Sequence, residues 1–553
     1  MLDRGWQTVV AVAWIVGIAW LAIDFQKPPQ ALGRGAPGGV FSAVRAQKHV
    51  VEIARAPHPT GSAEARRVRE FLLCELLQLG LEPQVQSPRD PTSAVRNVLA
   101  RLAGEGLPGK KALMLCAHYD SVPTSPGAGD NASGVAVVLE TLRALKTGPR
   151  LDRDVIVLFD DGEENGLLGS AIFVTEHPWA KEVGVVINLD ARGNSGPSIM
   201  FETSDDNGWL IRQYSQAVPH PLATSVSMDV YRRLPNSTDL TVFKQAGMAG
   251  LNFAFSAGLA YYHTPEDTPE NLDLRTLQHQ GENALAMARR LGNLDLDAPN
   301  GNDVIYASIL SRFVLSYPKN WALPLALFTA LLFLAVVVIG LRTGHLSLAD
   351  LVAGASASLA AMCAAPITLA LLFGAGFIWN VLGMLFYGTT VSWLKFDVPI
   401  LTGCAILTAA VTLVLKRRSA GARPLVALSL GALSWWLALT LSTAWWFQGG
   451  SYLFVWPTLF GVLGLGVSLG TRVRPTVARI TTLLCTTPAL VLFPPLFRNM
   501  FDALSLHQAA PGMILVALFL GTMLPALEPL IAPRITWHAT PKVSQAQPGI
   551  TTS

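Results

Sequence analysis

The chain is 553 residues long, 51% of its residues are hydrophobic and only 14% are charged, and its mean hydropathy is +0.40. This length allows two or three domains, while the composition excludes an ordinary soluble enzyme. The formal net charge of +3 gives no indication of nucleic-acid binding, and the five dispersed cysteines do not suggest a disulfide framework.

The first apolar run covers residues 6–25 and follows Arg4. Its end lacks the small residues of a signal-peptide cleavage site, which favours an uncleaved transmembrane anchor over a cleaved signal. We expect this anchor to occupy residues 1–27. A stretch rich in proline and glycine follows, as is typical of a linker, and alternating strand and helix patterns then predict a domain at 28–300.

Four short apolar runs in this domain end in polar side chains. The runs, each with its polar residues, are 113–117 with His118, 155–159 with the acidic group 160–164, 185–189 with Asp190, and 251–255 with the segment 261–267. Such runs are typical of buried strands in an α/β sheet, and sites in open sheets lie beyond the carboxyl ends of the strands. We therefore expect an α/β fold with these polar groups at one edge of the sheet.

A further polar block lies at 129–134, where glycines on either side of Asp130 allow a tight, closely approaching backbone. The spacing at 132–145 predicts a helix that packs on the sheet. Histidine together with several carboxylates favours a divalent transition ion, and zinc accepts both ligand types.

Each of these residues has a simpler explanation when it is taken alone. His118 would be a polar cap, Asp190 a helix N-cap, Glu163 and Glu164 part of a solvated loop, and His263 an ordinary surface residue. Five blocks in a fixed order, each beside an apolar run, are much harder to explain by chance.

In order and residue type these blocks resemble the zinc-dependent exopeptidases of peptidase family M28, over roughly residues 45–291. The resemblance implies an aminopeptidase-like mixed sheet flanked by helices, and two zinc ions per chain. The ligands that it implies are Asp130 as the bridge between the ions, His118 and Asp190 for one ion, and Glu164 and His263 for the other.

The resemblance also implies two residues with other roles. Glu163 would be the general base that takes a proton from bound water and passes it to the leaving amine, and Asp120 would orient His118. The implied function is a membrane-anchored di-zinc aminopeptidase that hydrolyses the N-terminal bonds of short peptides outside the cytoplasm, through a metal-bound hydroxide.

Other positions near these blocks leave alternatives open. Arg192 would either contact substrate or form a salt bridge with the acidic group. Tyr261 and Tyr262 would donate to an oxyanion or pack around His263. The stretch 234–239 is similar to a substrate-side loop in membrane-embedded relatives of the family.

The composition changes from Trp321 onward. Seven apolar runs have lengths near the ~20 residues that cross a bilayer as a helix: 322–341, 349–373, 398–415, 424–446, 452–470, 479–498 and 511–532. They predict an all-α bundle of seven spans over 322–533, after a linker at 301–321, and eight spans in total with the anchor.

The basic residues indicate the orientation. With Arg4 in the cytoplasm, the basic loops fall on the inner side, so both termini, including the tail 534–553, are expected to be cytoplasmic. The domain at 28–300 would then lie on the periplasmic, extracellular or lumenal side. Counting the run 377–387 as a further span would put the basic loop 416–418 outside, so we interpret that run as interfacial or re-entrant.

This architecture resembles the membrane-bound branch of family M28, which includes endoplasmic reticulum metallopeptidase and vacuolar membrane proteases. That branch often has Glu at the position of Asp190, and Asp retains the carboxylate. Peptide substrates and the lipid bilayer are the implied partners. Two alternative functions stay open: a single-zinc, glutaminyl-cyclase-like aminoacyltransferase, and the non-catalytic ectodomain of a membrane transport or binding protein.

Overall fold

The computed structural model describes residues 4–299, 301–387, 425–470, 473–503 and 510–527. Within them the chain forms an α/β domain and a bundle of apolar helices, as the composition predicts. The predicted span 398–415, the basic loop 416–418 and the tail 534–553 lie outside the described residues.

Seven strands form one mixed sheet in the order β1-β2-β4-β3-β5-β7-β6. Their bounds are β1 Gln84–Gln86, β2 Asn97–Leu102, β3 Ala112–His118, β4 Val155–Asp160, β5 Val183–Leu189, β6 Ile199–Thr203 and β7 Ala249–Ala254. The four central strands, β4, β3, β5 and β7, are parallel, and the others are antiparallel to their neighbours. The predicted α/β fold is confirmed, and all four predicted site-bearing strands are present.

Helices cover both faces of the sheet. The helices of this domain are α2 Ala43–Ile53, α3 Ala63–Gln78, α4 Ser133–Lys146, α5 Leu168–Glu176, α6 Gly208–Ala217, α7 Ser225–Tyr231, α8 Asp239–Gln245 and α9 Leu274–Leu291. Every residue of β3, β4 and β5 is buried. Alternate side chains of β3 therefore enter different cores: Leu113 and Leu115 pack with α2, α4 and α9, and Met114 packs with α5 and α8.

The remaining described helices are apolar. They are α1 Arg4–Asp24, α10 Ala322–Arg342, α11 Leu348–Tyr387, α12 Leu425–Trp446, α13 Ser451–Leu469, α14 Pro475–Cys485, α15 Thr487–Ala503 and α16 Ala510–Met523. Six segments of the described residues are long and apolar enough to cross a membrane, and each coincides with a predicted span. The helix at the predicted span 511–532 is shorter. Helix α11 runs without a break through 377–387, so this run continues the preceding helix.

The predicted linker at 301–321 is a β-hairpin, with strands β8 Val304–Ile309 and β9 Phe313–Pro318. Its alternating side chains join two cores, because Tyr306 belongs to the core of the α/β domain while Ile305 and Ala307 belong to the core of the bundle. The hairpin thus attaches the α/β domain to the membrane helices by packing as well as by the chain.

Helix α1 packs alongside α14 and α15 in the same direction. Gln7 near its start accepts a hydrogen bond from Arg479 at 2.9 Å, and Gln26 just after its end accepts one from Asn499 at 3.1 Å. At the same end of α1, the guanidinium of Arg312 in the hairpin lies 5.2 Å from the ring centroid of Phe25. The end of α1 that contacts the hairpin is therefore the carboxyl end.

Candidate metal centre

The order of the parallel strands explains how distant residues meet. Strands β4, β3, β5 and β7 are adjacent and point the same way, so the loops at their carboxyl ends share one edge of the sheet. This edge carries all five predicted metal ligands: His118 at the end of β3, Asp130 before α4, Glu164 after β4, Asp190 after β5 and His263 after β7.

The five side chains form two groups that share one carboxylate. Nε2 of His118 lies 3.2 Å from Oδ1 of Asp130 and 3.7 Å from Oδ1 of Asp190. Nε2 of His263 lies 3.1 Å from Oδ2 of Asp130 and 3.1 Å from Oε1 of Glu164. Asp130 therefore presents one oxygen to each group, and the ligand atoms within each group lie within 4.8 Å of one another.

Hydrogen atoms cannot satisfy all these contacts. Nε2 of His263 has one hydrogen at most, yet carboxylate oxygens of Asp130 and Glu164 lie equally close to it. Oε1 of Glu164 is buried and accepts no hydrogen bond from the described residues. A cation coordinated by the three side chains would satisfy every one of these atoms, and His and carboxylate ligands fit zinc.

The charges of the site are also unbalanced. Burial alone would lower the pKa of His118, but its hydrogen bonds with Asp120, Asp130 and Asp190 raise that pKa well above its ordinary value. Burial raises the pKa of Glu163; the charge of His118 opposes this, and nearby carboxylates add to it. Buried carboxylates are costly without positive partners, so the excess of acids over histidines also fits bound cations.

Asp120 connects the two halves of the site. Its Oδ1 lies 3.5 Å from Nδ1 of His118 and accepts a hydrogen bond from the backbone N–H of Glu163 at 3.2 Å. Its Oδ2 accepts one from the N–H of Glu164 at 3.3 Å. The contacts put Asp120 beside the imidazole that it was expected to orient, and they also fix the loop of both glutamates.

Two backbone features bring the ligands together. Gly162 has φ +82°, a conformation that side chains disfavour, and it turns the chain from the end of β4 into the loop with Glu163 and Glu164. At Gly129 a Cβ atom would lie 2.3 Å from the carbonyl oxygen of Gly193. Only glycine therefore allows the turn that holds Asp130 to approach the loop that follows β5.

Asp267 is a functional residue that sequence reasoning did not assign. Its Oδ1 accepts the N–H of Gly129 at 2.7 Å and its Oδ2 accepts the N–H of Asp130 at 3.2 Å. The side chain therefore fixes the backbone of the shared ligand. The available signal was its place in the segment 261–267, which also supplies His263.

The segment 54–62 between α2 and α3 also reaches the site. Oγ1 of Thr60 donates to Oδ1 of Asp161 at 2.8 Å, and the other oxygen of Asp161 accepts the N–H of Arg96 at 2.8 Å. These bonds anchor the first residue of the acidic loop. A separate cluster, formed by Cys116, Asp160 and Asp239, is fully buried.

A cavity of about 490 Å³ opens beside the metal ligands. Phe201, Tyr231 and Leu234 contribute aromatic and apolar side chains to its lining, and we call this part of the lining the cavity wall. The ring of Tyr262 lines the cavity and stacks on His263 at 3.7 Å, so packing around His263 is observed for this residue. Arg192 also lines the cavity, and no carboxylate of the described residues forms a salt bridge with it.

Comparisons with known proteins find matches to part of the chain. Residues 97–288 match the profile of Peptidase family M28. The chain is 32% identical over 320 residues to endoplasmic reticulum metallopeptidase 1 of Homo sapiens, covering 52% of this chain and 35% of that protein. It is 34% identical over 280 residues to the vacuolar membrane protease of Candida dubliniensis, covering 47% of this chain and 29% of that protein. The chain thus spans about a third of the length of these relatives.

Solved structures provide two further similarities. A zinc aminopeptidase from Bacillus subtilis is 18% identical with a TM-score of 0.38, covering 48% of this chain and 98% of that one. A glutaminyl cyclase from Porphyromonas gingivalis is 23% identical with a TM-score of 0.36, covering 45% of this chain and 97% of that one. Neither similarity covers more than half of this chain.

Proposed function

We propose that this chain, whose residues 97–288 match the profile of Peptidase family M28, is a membrane-anchored di-zinc exopeptidase, an aminopeptidase that acts on short peptides. The observation that carries the proposal is Asp130, which presents one carboxylate oxygen to each of two ligand groups. A site for one ion has no need of a carboxylate shared in this way. The second group, with His118 and Asp190, therefore supports the peptidase over the single-zinc aminoacyltransferase.

His118, Asp130 and Asp190 would hold one zinc ion, and Asp130, Glu164 and His263 the other. The chemistry that bound zinc supplies is Lewis-acid activation of a water molecule and of the scissile carbonyl. Glu163 lines the cavity beside these ligands. Its carboxylate is the group of this chain proposed to take a proton from the attacking water and to deliver it to the leaving amine.

One residue of the chain, Asp120, prepares this step without touching substrate. Asp120 accepts the N–H groups of Glu163 and Glu164, so it fixes the loop that carries the base and a ligand. Nδ1 of His118 lies 3.1 Å from the backbone carbonyl oxygen of Asp120 and 3.5 Å from its carboxylate, which leaves Nε2 directed at Asp130 and Asp190. Substrate would enter through the cavity, whose apolar wall suits the side chain of the substrate's N-terminal residue.

We also propose that the peptidase domain lies on the non-cytoplasmic side, with both termini in the cytoplasm. The relatives are named for the endoplasmic reticulum and the vacuolar membrane, and six described apolar segments are long enough to span a bilayer. The carboxyl end of α1 meets the domain through Phe25 and Arg312, and Arg4 lies at its other end. This arrangement supports the orientation expected from the basic loops.

The test is hydrolysis by the full chain in detergent, with aminoacyl-p-nitroanilides and dipeptides as substrates and with zinc content measured on each sample. We compare wild type with Glu163→Gln and with the matched control Glu266→Gln, an exposed glutamate beside the site. Two zinc ions per chain are expected in all three proteins, with activity lost only in Glu163→Gln. No hydrolysis by fully metallated wild type, or full activity in Glu163→Gln, would contradict the proposal.

A further inference from the structure

The short helix α7 has two sides with different neighbours. Ser225, Asp229 and Arg233 recur at intervals of four residues, so they line one side of the helix and of the turn that follows it. Tyr231 is two residues beyond Asp229, about 200° around the axis, and therefore lies on the opposite side. One side contacts the membrane bundle and the other faces the catalytic cavity.

The first side is bonded to the bundle loop, which we define as residues 447–450 between α12 and α13. Oδ2 of Asp229 accepts the N–H of Gly449 at 2.7 Å, and the hydroxyl of Ser225 donates to the carbonyl oxygen of Gly449 at 2.7 Å. A Cβ atom at Gly449 would lie 2.6 Å from the carbonyl oxygen of Ser225. The two backbones are thus as close as glycine permits.

Residues at both ends of α7 extend this contact onto the helices themselves. The hydroxyl oxygens of Thr224 and Tyr452, the second residue of α13, lie 2.6 Å apart. Past the other end, Arg233 donates to the carbonyl oxygen of Trp446 at 3.0 Å, and its guanidinium lies 5.0 Å from the ring centroid of Phe447. Helix α7 is therefore bonded to the bundle along its whole length.

The second side of α7 forms the wall of the cavity. The ring of Tyr231 lies 5.0 Å from that of Phe201 in an edge-to-face arrangement, and the hydroxyl of Ser227 donates to the carbonyl oxygen of Phe201 at 2.9 Å. Tyr231, Phe201 and the segment that leaves α7 all line the cavity. A displacement of α7 would therefore move this wall relative to the metal ligands.

Helix α7 has seven residues, which is too few for a helix to be stable without tertiary contacts. We propose that the bundle loop positions the cavity wall through α7, so that a contact made by the membrane helices sets which first residues the peptidase accepts. Asp229 and Tyr452 are the positioning residues of this device. The inference rests on the proposed function, since it assigns a role in substrate selection to the bundle.

The test uses the full chain with Asp229→Ala and, on the opposite partner, Tyr452→Phe, which removes only a hydroxyl group. The control is Asp152→Ala, an exposed aspartate at the far end of β4. For substrates with a large apolar first residue we expect KM to rise about three- to tenfold in both variants while kcat stays within about twofold. For alanyl substrates, whose short side chain reaches less of the wall, KM is expected to change little. The control Asp152→Ala is expected to have the KM and kcat of wild type.

Hydrogen exchange separates this inference from the proposed function. Backbone amides of 225–234 are expected to exchange faster in both variants than in wild type and in Asp152→Ala, because the wall loses a fixed support. This measurement does not need hydrolysis, so a wild type that cleaves no peptide refutes the function while the exchange still tests the contact. Unchanged exchange in both variants, or unchanged selectivity in an active enzyme, would overturn the inference.

Discussion

Asp267 shows how a residue outside the ligand set controls the shared ligand. Because it accepts the N–H groups of Gly129 and Asp130, Asp267→Ala removes both supports of the turn that presents Asp130 to the two metal groups. We predict a loss of zinc affinity of about 10- to 100-fold, the usual effect of removing a residue that orients a ligand. Competition with a chromogenic chelator measures it.

The neighbouring acid provides the control for this prediction. Glu266 is exposed, and Glu266→Ala removes the same charge from the same loop without touching Asp130. It is expected to retain the zinc affinity of wild type. Equal losses in Glu266→Ala and Asp267→Ala would mean that the loop charge, and not the two hydrogen bonds, holds the metal.

Arg192 is a cation in a cavity that contains four carboxylates, yet it forms no salt bridge with a described residue. A guanidinium with free donors is suited to bind a carboxylate, such as the C-terminus of a short peptide. We predict that Arg192→Gln raises KM about tenfold or more for dipeptides with a free carboxylate and changes it little for the same dipeptides as amides. Equal effects on acids and amides would contradict this role.

At the scale of elements, the site could be predicted because its ligands follow strands with a strong signal. Strands β3, β4 and β5 are buried throughout, so their sequences are continuous apolar runs, and the histidine and carboxylates at their ends together are typical of a metal site. The hairpin at 304–318 was predicted as a linker, because most residues of β9 are exposed and its pairing has no apolar alternation to indicate it.

Helix α7 and the role of Asp267 were beyond sequence reasoning for a different reason. Seven residues do not give a clear helical period, and the position of α7 depends on the bundle loop more than 200 residues later. Asp267 acts through backbone N–H groups 137 and 138 residues away. Contacts of this kind are set by tertiary packing, which the pattern of one sequence does not contain.

Helix α9 carries a buried histidine that links stability to pH. In His279, Nε2 donates to the carbonyl oxygen of His220 and Nδ1 accepts the N–H of Ser198, so the ring is neutral in the folded protein. Burial lowers its pKa to about 4. The charge of His220, whose ring lies 6.5 Å away, also lowers this pKa, and Oε2 of Glu282 lies 3.3 Å from Nδ1 of His220.

The sign of the effect follows from the lowered pKa. Between pH 4 and 6.5 the unfolded chain binds a proton that the folded chain excludes, so stability from His279 is complete above pH 6.5 and declines as the pH falls towards 4. At pH 5 the loss is about 2 kcal/mol. We predict that the midpoint of thermal unfolding falls less between pH 7.5 and 5 in His279→Gln than in wild type. An equal fall in both proteins would contradict it.

At the scale of the molecule, the bundle was predictable in composition and only partly in form. Six described apolar segments coincide with predicted spans, because the bilayer fixes helix length. Helix α11, however, covers 40 residues, about 60 Å, where the sequence predicted a span and a separate interfacial run. Its apolar character continues past the length of one crossing, and hydropathy alone does not tell where such a helix leaves the bilayer.

Orientation is the property of the whole molecule that a direct measurement decides. The ends of α1, α12 and α13 that meet the α/β domain must share one side of the membrane, and the loop between α10 and α11 lies at the opposite ends of the spans. In a chain that retains Cys74 alone, this exposed thiol of α3 is expected to react with a membrane-impermeant maleimide in intact cells or sealed vesicles of known sidedness.

The matched probe replaces Ala349, an exposed residue in the first turn of α11, in a chain without other cysteines. Ala349→Cys is expected to react only after permeabilisation, because Arg342 and the start of α11 lie on the side that the basic residues assign to the cytoplasm. The reverse pattern would place the α/β domain in the cytoplasm. Labelling of both thiols before permeabilisation would mean that the vesicles leak, which a retained cytoplasmic marker excludes. The two thiols together therefore decide on which side of the membrane the α/β domain lies.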